Sequence, residues 1–276
     1  MKIIFKIVLF LFVFISFSIS SIADTLDFDN VNEDDLKKII GDFSGNFSHT
    51  TISGASSLGT TFGFELGLVL GASTTPGIDE LTKEQDPNAQ NAGLVHGGLL
   101  LQVSVPMGIT IEANMIPSID ASDLEFSNTG LGVKWTLTQT LLSLPVDLAL
   151  KANMTKTDLS FSTVIQNAST SNIPVNSKME LSSTTTGLMA FVSKKLLVFE
   201  PYFGLGIANT SGDLKVTGSG TIFDQTLTTG QSSDASTSGM QFALGSEINL
   251  FVVKFGIEYS KVIDTTRYSG KFSFYF

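Results

Sequence analysis

Arg267-Tyr-Ser-Gly-Lys-Phe-Ser-Phe-Tyr-Phe276 closes the chain, and it divides by parity. Successive side chains of an extended strand point to opposite faces. Tyr268, Phe272, Phe274 and Phe276 therefore share one face, and Arg267, Ser269, Lys271, Ser273 and Tyr275 share the other. The first face suits lipid and the second suits water. Gly270 is the gap in the apolar row.

Working back from this ending, nine more segments alternate, at about 60–72, 96–105, 107–116, 124–138, 144–155, 183–194, 197–209, 237–250 and 252–263. Most reach the ~9–11 residues that cross a bilayer at a tilt. Long connections at 73–95, 156–182 and 210–236 alternate with short ones at Val105–Gly108, Leu141–Pro145, Lys194–Lys195 and Leu250–Phe251. Two further short links, Pro117–Asp123 and Asp264–Arg267, fall at the long-loop end. The expected fold is all-β: one antiparallel transmembrane β-barrel over 60–276, of ten strands with eight to twelve compatible, preceded by a short N-terminal helix.

Facing is the strongest support for that expectation. One parity collects Phe62, Phe64, Leu66, Leu68 and Leu70, then Leu99, Leu101 and Val103, and continues through Ile111, Val133, Trp135, Leu148, Leu150, Phe203, Leu205, Leu244, Phe255 and Ile257. The opposite parity carries Glu65, Glu112, Lys134, Asp147, Lys151, Glu200, Glu247, Lys254, Glu258 and Lys271. A soluble sandwich core has no means of burying so many charges, whereas a barrel lumen does. Lys261 alone breaks the rule, near a strand end where a long side chain can snorkel. In 183–194 two assignments stay open, with either Leu188, Ala190 and Val192 or Met189 and Phe191 toward lipid. Aromatics at the short-turn ends, such as Phe199, Phe251 and Phe274, fit an interfacial girdle.

The closing strand resembles that of bacterial outer-membrane β-barrel proteins, which ends on Phe with aromatic or apolar residues at alternate positions before it. The resemblance covers 60–276. It implies residence in the bacterial outer membrane and contact with outer-membrane lipid. It also implies an assembly signal, formed here by Tyr268, Phe272, Phe274 and Phe276, that is read by the barrel-insertion machinery, with periplasmic chaperones as further partners. It is silent on substrate.

The other end agrees. Lys2 and Lys6 precede an almost wholly apolar run from Ile7 to Ile19, and Ser21-Ile-Ala23 has small-x-small form, so residues 1–23 read as a signal peptide. Residues 24–59 form an N-terminal extension. In it Asn32 is placed to cap a helix that Gly41 ends, and Asp42 to Gly59 is rich in Ser, Thr and Gly. This stretch either stays in the periplasm as a tether or enters the lumen as a plug. The second option resembles the N-terminal hatch of fatty-acid-transporter-like barrels.

Composition narrows function by exclusion. Without Lys2 and Lys6, 14 basic residues face 26 acidic ones, which argues against nucleic acid as a partner. Mean hydropathy is +0.27 although no segment after the leader is long enough for a spanning helix. No cysteine is present, excluding a lipid anchor on cysteine and any disulfide framework. Asp27 to Asp35 is acidic but places Val31 at a ligand position of the calcium-loop pattern and lacks its Gly, so no metal site is assigned. Gly204-Leu-Gly206 is a fragment of a nucleotide fingerprint on inward parity, where small residues relieve crowding. No cofactor follows, and no catalytic residue is assigned.

Three functions stay open, in this order. The lumen is a passive or gated path for small molecules of unknown identity; the barrel is a non-conducting structural or surface-interaction protein; or it is an enzyme with His96 as base, Ser104 and Glu112 being on the same side of the wall. The non-enzymatic readings are preferred. Glu247, Lys254, Glu258 and Lys271 fall on three consecutive strands and are expected to brace the wall as one network.

Overall fold

The computed structural model describes residues 33–59, 61–85, 87–88, 93–121, 124–139, 141, 144–165, 175–217, 220–222, 225–227 and 231–276. The leader expected over 1–23, the start of the acidic stretch and the Asn32 cap lie outside them. In chain order the elements are α1 (Glu33–Phe47), β1 (Gly63–Thr74), α2 (Pro76–Gln85), β2 (Gly93–Val105), β3 (Ile109–Ala121), β4 (Leu124–Thr136), β5 (Asp147–Ile165) and β6 (Val175–Ser193). They continue with β7 (Phe199–Thr217), β8 (Gly220–Ile222), β9 (Gln225–Leu227), β10 (Gln231–Leu250), β11 (Val253–Val262) and β12 (Thr265–Tyr275).

Among the described residues, ten strands close into one antiparallel barrel, β1 to β7 followed by β10, β11 and β12, which pairs back onto β1. The last residue helps seal the ring. The Phe276 N–H donates to the Phe64 carbonyl at 2.8 Å, and the Phe64 N–H donates to the Phe276 carbonyl at 2.9 Å. Closure gives each of these ten strands a partner on both sides. β8 and β9 form a separate hairpin in the β7–β10 connection.

β5, β6 and β7 each run 19 residues and β10 runs 20, so the connections expected at 156–182 and 210–236 are largely strand. Alternation persists there, as in Asp158-Leu-Ser-Phe, and the ladder extends with it. A bilayer crossing uses ~9–11 residues, so each of these four strands is about twice that length. The connection expected at 73–95 also contains structure that alternation does not signal. Pro76 presets the first turn of α2, Asp79 and Lys83 complement its two ends, and Ile78 and Leu81 pack on Ile39 of α1.

The apolar face is outward: Leu66, Leu131, Val133, Leu150, Leu205, Ile207, Leu244 and Ile257 are all more than 40% exposed. In β6 the open choice resolves with Leu188 outside at 55% exposure and Met189 and Phe191 buried inside. Among the described residues no helix is long and apolar enough to cross a membrane; the apolar belt belongs to the strands.

α1 does not stop at Gly41 but continues to Phe47. Leu36, Ile40, Phe43 and Phe47 repeat at helical spacing and bury against Leu94, Ile116, Phe126, Leu159, Leu181 and Leu214, which face inward from six strands. That contact outweighs the ~1 kcal/mol cost of a mid-helix glycine. Every residue from Gly41 to Ala55 is buried. The helix therefore fills the long-loop end of the lumen, with its N-terminal end at the mouth. Residues 48–59 then descend to the short-turn end, where Leu58 meets Ser104 and Gly59 meets Gln139.

Candidate functional site

The lumen is polar below α1, and residues 48–59 run through it. His49 is buried, its Nε2 lying 3.2 Å from Glu112 Oε2, and Lys151 Nζ lies 2.7 Å from the same oxygen. Gly130 and Gly132 of β4 face this imidazole; a Cβ on either would come within 2.9 Å of a ring nitrogen, so the missing side chains are the space His49 occupies. Lys134 stands 3.9 Å from Glu112 Oε1 and donates to Ser53 Oγ at 3.2 Å and to the Gly54 carbonyl at 2.8 Å. Ile52 carries φ of +48° and is buried beside Val69 and Leu100, a strained backbone for a β-branched residue.

A second cluster joins β1, β10, β11 and β12. Lys271 Nζ sits 2.8 Å from Glu65 Oε1 and 2.6 Å from Glu247 Oε1, while Lys254 Nζ sits 3.0 Å from Glu65 Oε2 and 3.8 Å from Glu247 Oε1. The expected membership needs correcting. Glu258 is not in this network; it accepts from Tyr202 Oη at 2.8 Å and Thr50 Oγ1 at 3.2 Å, and Glu65 takes its place. Glu200 accepts from Ser193 Oγ at 2.7 Å and Ser56 Oγ at 2.7 Å. Asp147 lies half-buried at the short-turn rim, held by Thr138 Oγ1 at 3.0 Å. Of the ten charged residues named from parity, all but Asp147 are buried. A small void of about 10 Å³ lies beside Lys151 and Glu258, bordered also by His49, Ile52, Phe191 and Arg267 among others.

His96 sits higher, under α1. Its Nε2 lies 2.8 Å from Ser269 Oγ and its Nδ1 3.0 Å from Asn46 Oδ1. Asn46 Nδ2 donates to the Val95 carbonyl at 3.2 Å, which turns Oδ1 toward the imidazole. Nδ1 must then carry the proton, and Nε2 accepts from Ser269. This is the connectivity of a nucleophile, base and orienting group, but Asn46 belongs to the helix that covers the site, and all three residues are buried. Ser104 bonds Thr110 and Glu112 faces His49, so neither partners His96 as the sequence allowed. The arrangement works as a latch between α1 and the wall. His96→Ala leaves Ser269 and Asn46 short of a buried partner and is expected to destabilise α1 docking by roughly 1–3 kcal/mol, read as faster deuterium uptake in residues 36–47.

Asp42 forms a second tie at the mouth. Its Oδ2 accepts from the Ile78 N–H at 2.9 Å, its Oδ1 accepts from Thr265 Oγ1 at 3.2 Å, and burial pushes its pKa up to about 7 against these hydrogen bonds. The folded value lies above the unfolded one, so this contribution to stability is full below pH ~4, falls as pH rises to about 7, and is flat beyond. Asp79, itself acidic, acts in the same direction. Melting temperatures between pH 4 and 8 are expected to show this fall in the wild type and to lose it in Asp42→Asn.

Arg267, Tyr202, Asn46 and Asn128 were not singled out by the sequence, although all contribute to the interior. Arg267 Nη1 donates to the Ser48 carbonyl at 2.8 Å and to Ser48 Oγ at 2.9 Å. Its inward parity was readable; its partner was not.

A closed ten-stranded barrel with an apolar exterior, filled from within by its own N-terminal segment, is the class that fold and interior define. The chain belongs to the family described as "Family of unknown function (DUF6588)", whose model matches residues 69–269. No curated protein matches it. Among solved structures it is similar to the translocator domain of autotransporter NalP from Neisseria meningitidis, at 9% identity and a TM-score of 0.46, covering 79% of this chain and 89% of that one. It is also similar to the outer membrane protease OmpT from Escherichia coli, at 10% identity and 0.40, covering 80% and 100%. A third likeness is to a Pseudomonas aeruginosa FadL homologue, at 10% identity and 0.34, covering 87% and 97%.

Proposed function

We propose that this protein is an integral barrel of the bacterial outer membrane whose lumen is a gated path for small molecules, closed by residues 33–59. The observation that carries this reading is the nature of the obstruction. The lumen is filled by a segment that belongs to no barrel strand, and polar side chains hold it there, so the path can open without breaking the wall. The apolar belt and the exposed aromatic row Phe272, Phe274 and Phe276 support lipid as the surrounding medium and assembly by the insertion machinery, after export on the leader at 1–23.

Sidedness and gating are tested together. The Asp34 side chain is 82% exposed at the long-loop mouth. Asp34→Cys, in a chain without native cysteine, is expected to react with an impermeant maleimide on intact cells, while Phe62→Cys at the opposite rim is not. In planar bilayers the full chain is expected to be mostly closed, and His96→Ala to open more often. Labelling of Phe62→Cys alone would reverse the orientation. Silence in both proteins would favour a non-conducting structural barrel, for which the burial of every residue from Gly41 to Ala55 inside the lumen is the supporting observation.

A further inference from the structure

The wall holds residues 48–59 largely by their peptide groups. Arg267 donates to the Ser48 carbonyl, Lys134 to the Gly54 carbonyl at 2.8 Å, and Thr136 Oγ1 to the Ala55 carbonyl at 2.7 Å. In the other sense, the Gly54 N–H donates to Glu247 Oε2 at 3.1 Å, the Ala55 N–H to Ser193 Oγ at 3.0 Å and the Ser56 N–H to Glu200 Oε1 at 3.3 Å. These donors and acceptors come from separate strands and follow the chain down the lumen. Several are charge-assisted, the stronger class of hydrogen bond.

The side chains of the held segment are mostly Ser, Thr, Gly and Ala. Peptide groups are common to every sequence, so at Gly54 and Ala55, which are held by main-chain contacts alone, the wall discriminates by size, while small hydroxyls and His49 add side-chain contacts above and below. Gly54 sets the tightest limit: a Cβ there would strike the Glu200 carboxylate and come within 3.1 Å of Ser193 Cβ.

We propose that the lumen is a binding site for extended polypeptide main chain, with residues 48–59 as its resident ligand, and that it takes a second peptide of small uncharged residues when that segment leaves. This rests on the gated reading above and names the class of molecule the path accepts. The wall groups that hold the resident, Arg267, Lys134, Glu200 and Glu247, are the groups a replacement would satisfy.

The test uses the full chain carrying a protease site inserted between Gly59 and Phe62, folded in detergent and then cut, so that the resident segment is no longer covalently attached. A fluorescein-labelled synthetic peptide of residues 47–59 is added and its anisotropy followed. It is expected to enter the barrel. The same peptide N-methylated at Gly54 and Ala55, which removes two donors, is expected to compete about tenfold or more weakly. A peptide with Gly54→Leu is expected not to compete. The uncut Gly54→Leu protein, whose own segment is unseated, provides a second route and should also take up the labelled peptide. Failure of uptake in both proteins, or equal competition by the N-methylated peptide, overturns the proposal. Conductance that rises on release of the segment with no peptide uptake would leave the gated reading standing and remove this one.

Discussion

Replacing Lys271 by methionine is expected to lower the free energy of unfolding by roughly 3–5 kcal/mol, the cost of leaving a buried charge uncompensated. The Lys271 side chain is fully buried, with Glu65 and Glu247 on either side at 2.8 and 2.6 Å. Without it the two carboxylates share only Lys254, which reaches Glu247 at 3.8 Å. Adding Glu247→Gln should recover part of the loss, giving a coupling of about 1–3 kcal/mol in a double-mutant cycle. The pair Lys254 and Glu258 is expected to show little coupling, because Glu258 is committed to Tyr202 and Thr50. Urea unfolding in lipid vesicles measures both. Strong coupling of Lys254 to Glu258 would mean that the interior is wired differently.

The second large effect lies on the other face of the wall. Ile257 is 68% exposed at mid-strand in β11, opposite Gly270 of β12 and Ser246 of β10. Ile257→Arg places a charge toward the hydrocarbon and is expected to cost roughly 2–4 kcal/mol. Ile257→Ala should cost clearly less, because it stays apolar and leaves no interior cavity. Equal penalties for Arg and Ala would mean that this surface faces water.

What was legible in the sequence follows from the range of each physical signal. Strand facing has period two and is local, so Phe272, Lys271 and their neighbours announce their sides from a few residues alone. Long-range partners do not. Lys254 reaches Glu65 over Ser273, whose small side chain lies between them on β12 and itself donates to Glu65 at 2.7 Å. Glu258 reaches Tyr202 because Gly245, which separates them on β10, has no side chain. Both depend on strand neighbours that parity does not identify, and the Glu65 contact also on closure between β1 and β12.

The N-terminal segment was hidden for a related reason. His49-Thr-Thr-Ile-Ser-Gly54 has no hydrophobic period, and its place is fixed by contacts to strands more than 50 residues away. Gly41 looks like a helix end because glycine is a poor helix former; only the apolar ring formed by Leu94, Phe126 and Leu214 reveals why the helix continues. α2 was read as part of a loop because ten residues with two buried apolar positions leave a weak period.

The central claim is that residues 48–59 close the lumen and that the path opens when they move. Ala55→Cys combined with Ser193→Cys would introduce the only two thiols of the chain, at positions joined by a 3.0 Å hydrogen bond. In single-channel recordings the oxidised protein is expected to stay shut, with openings appearing when the disulfide is reduced. A steady conductance through the fully oxidised form would contradict the account.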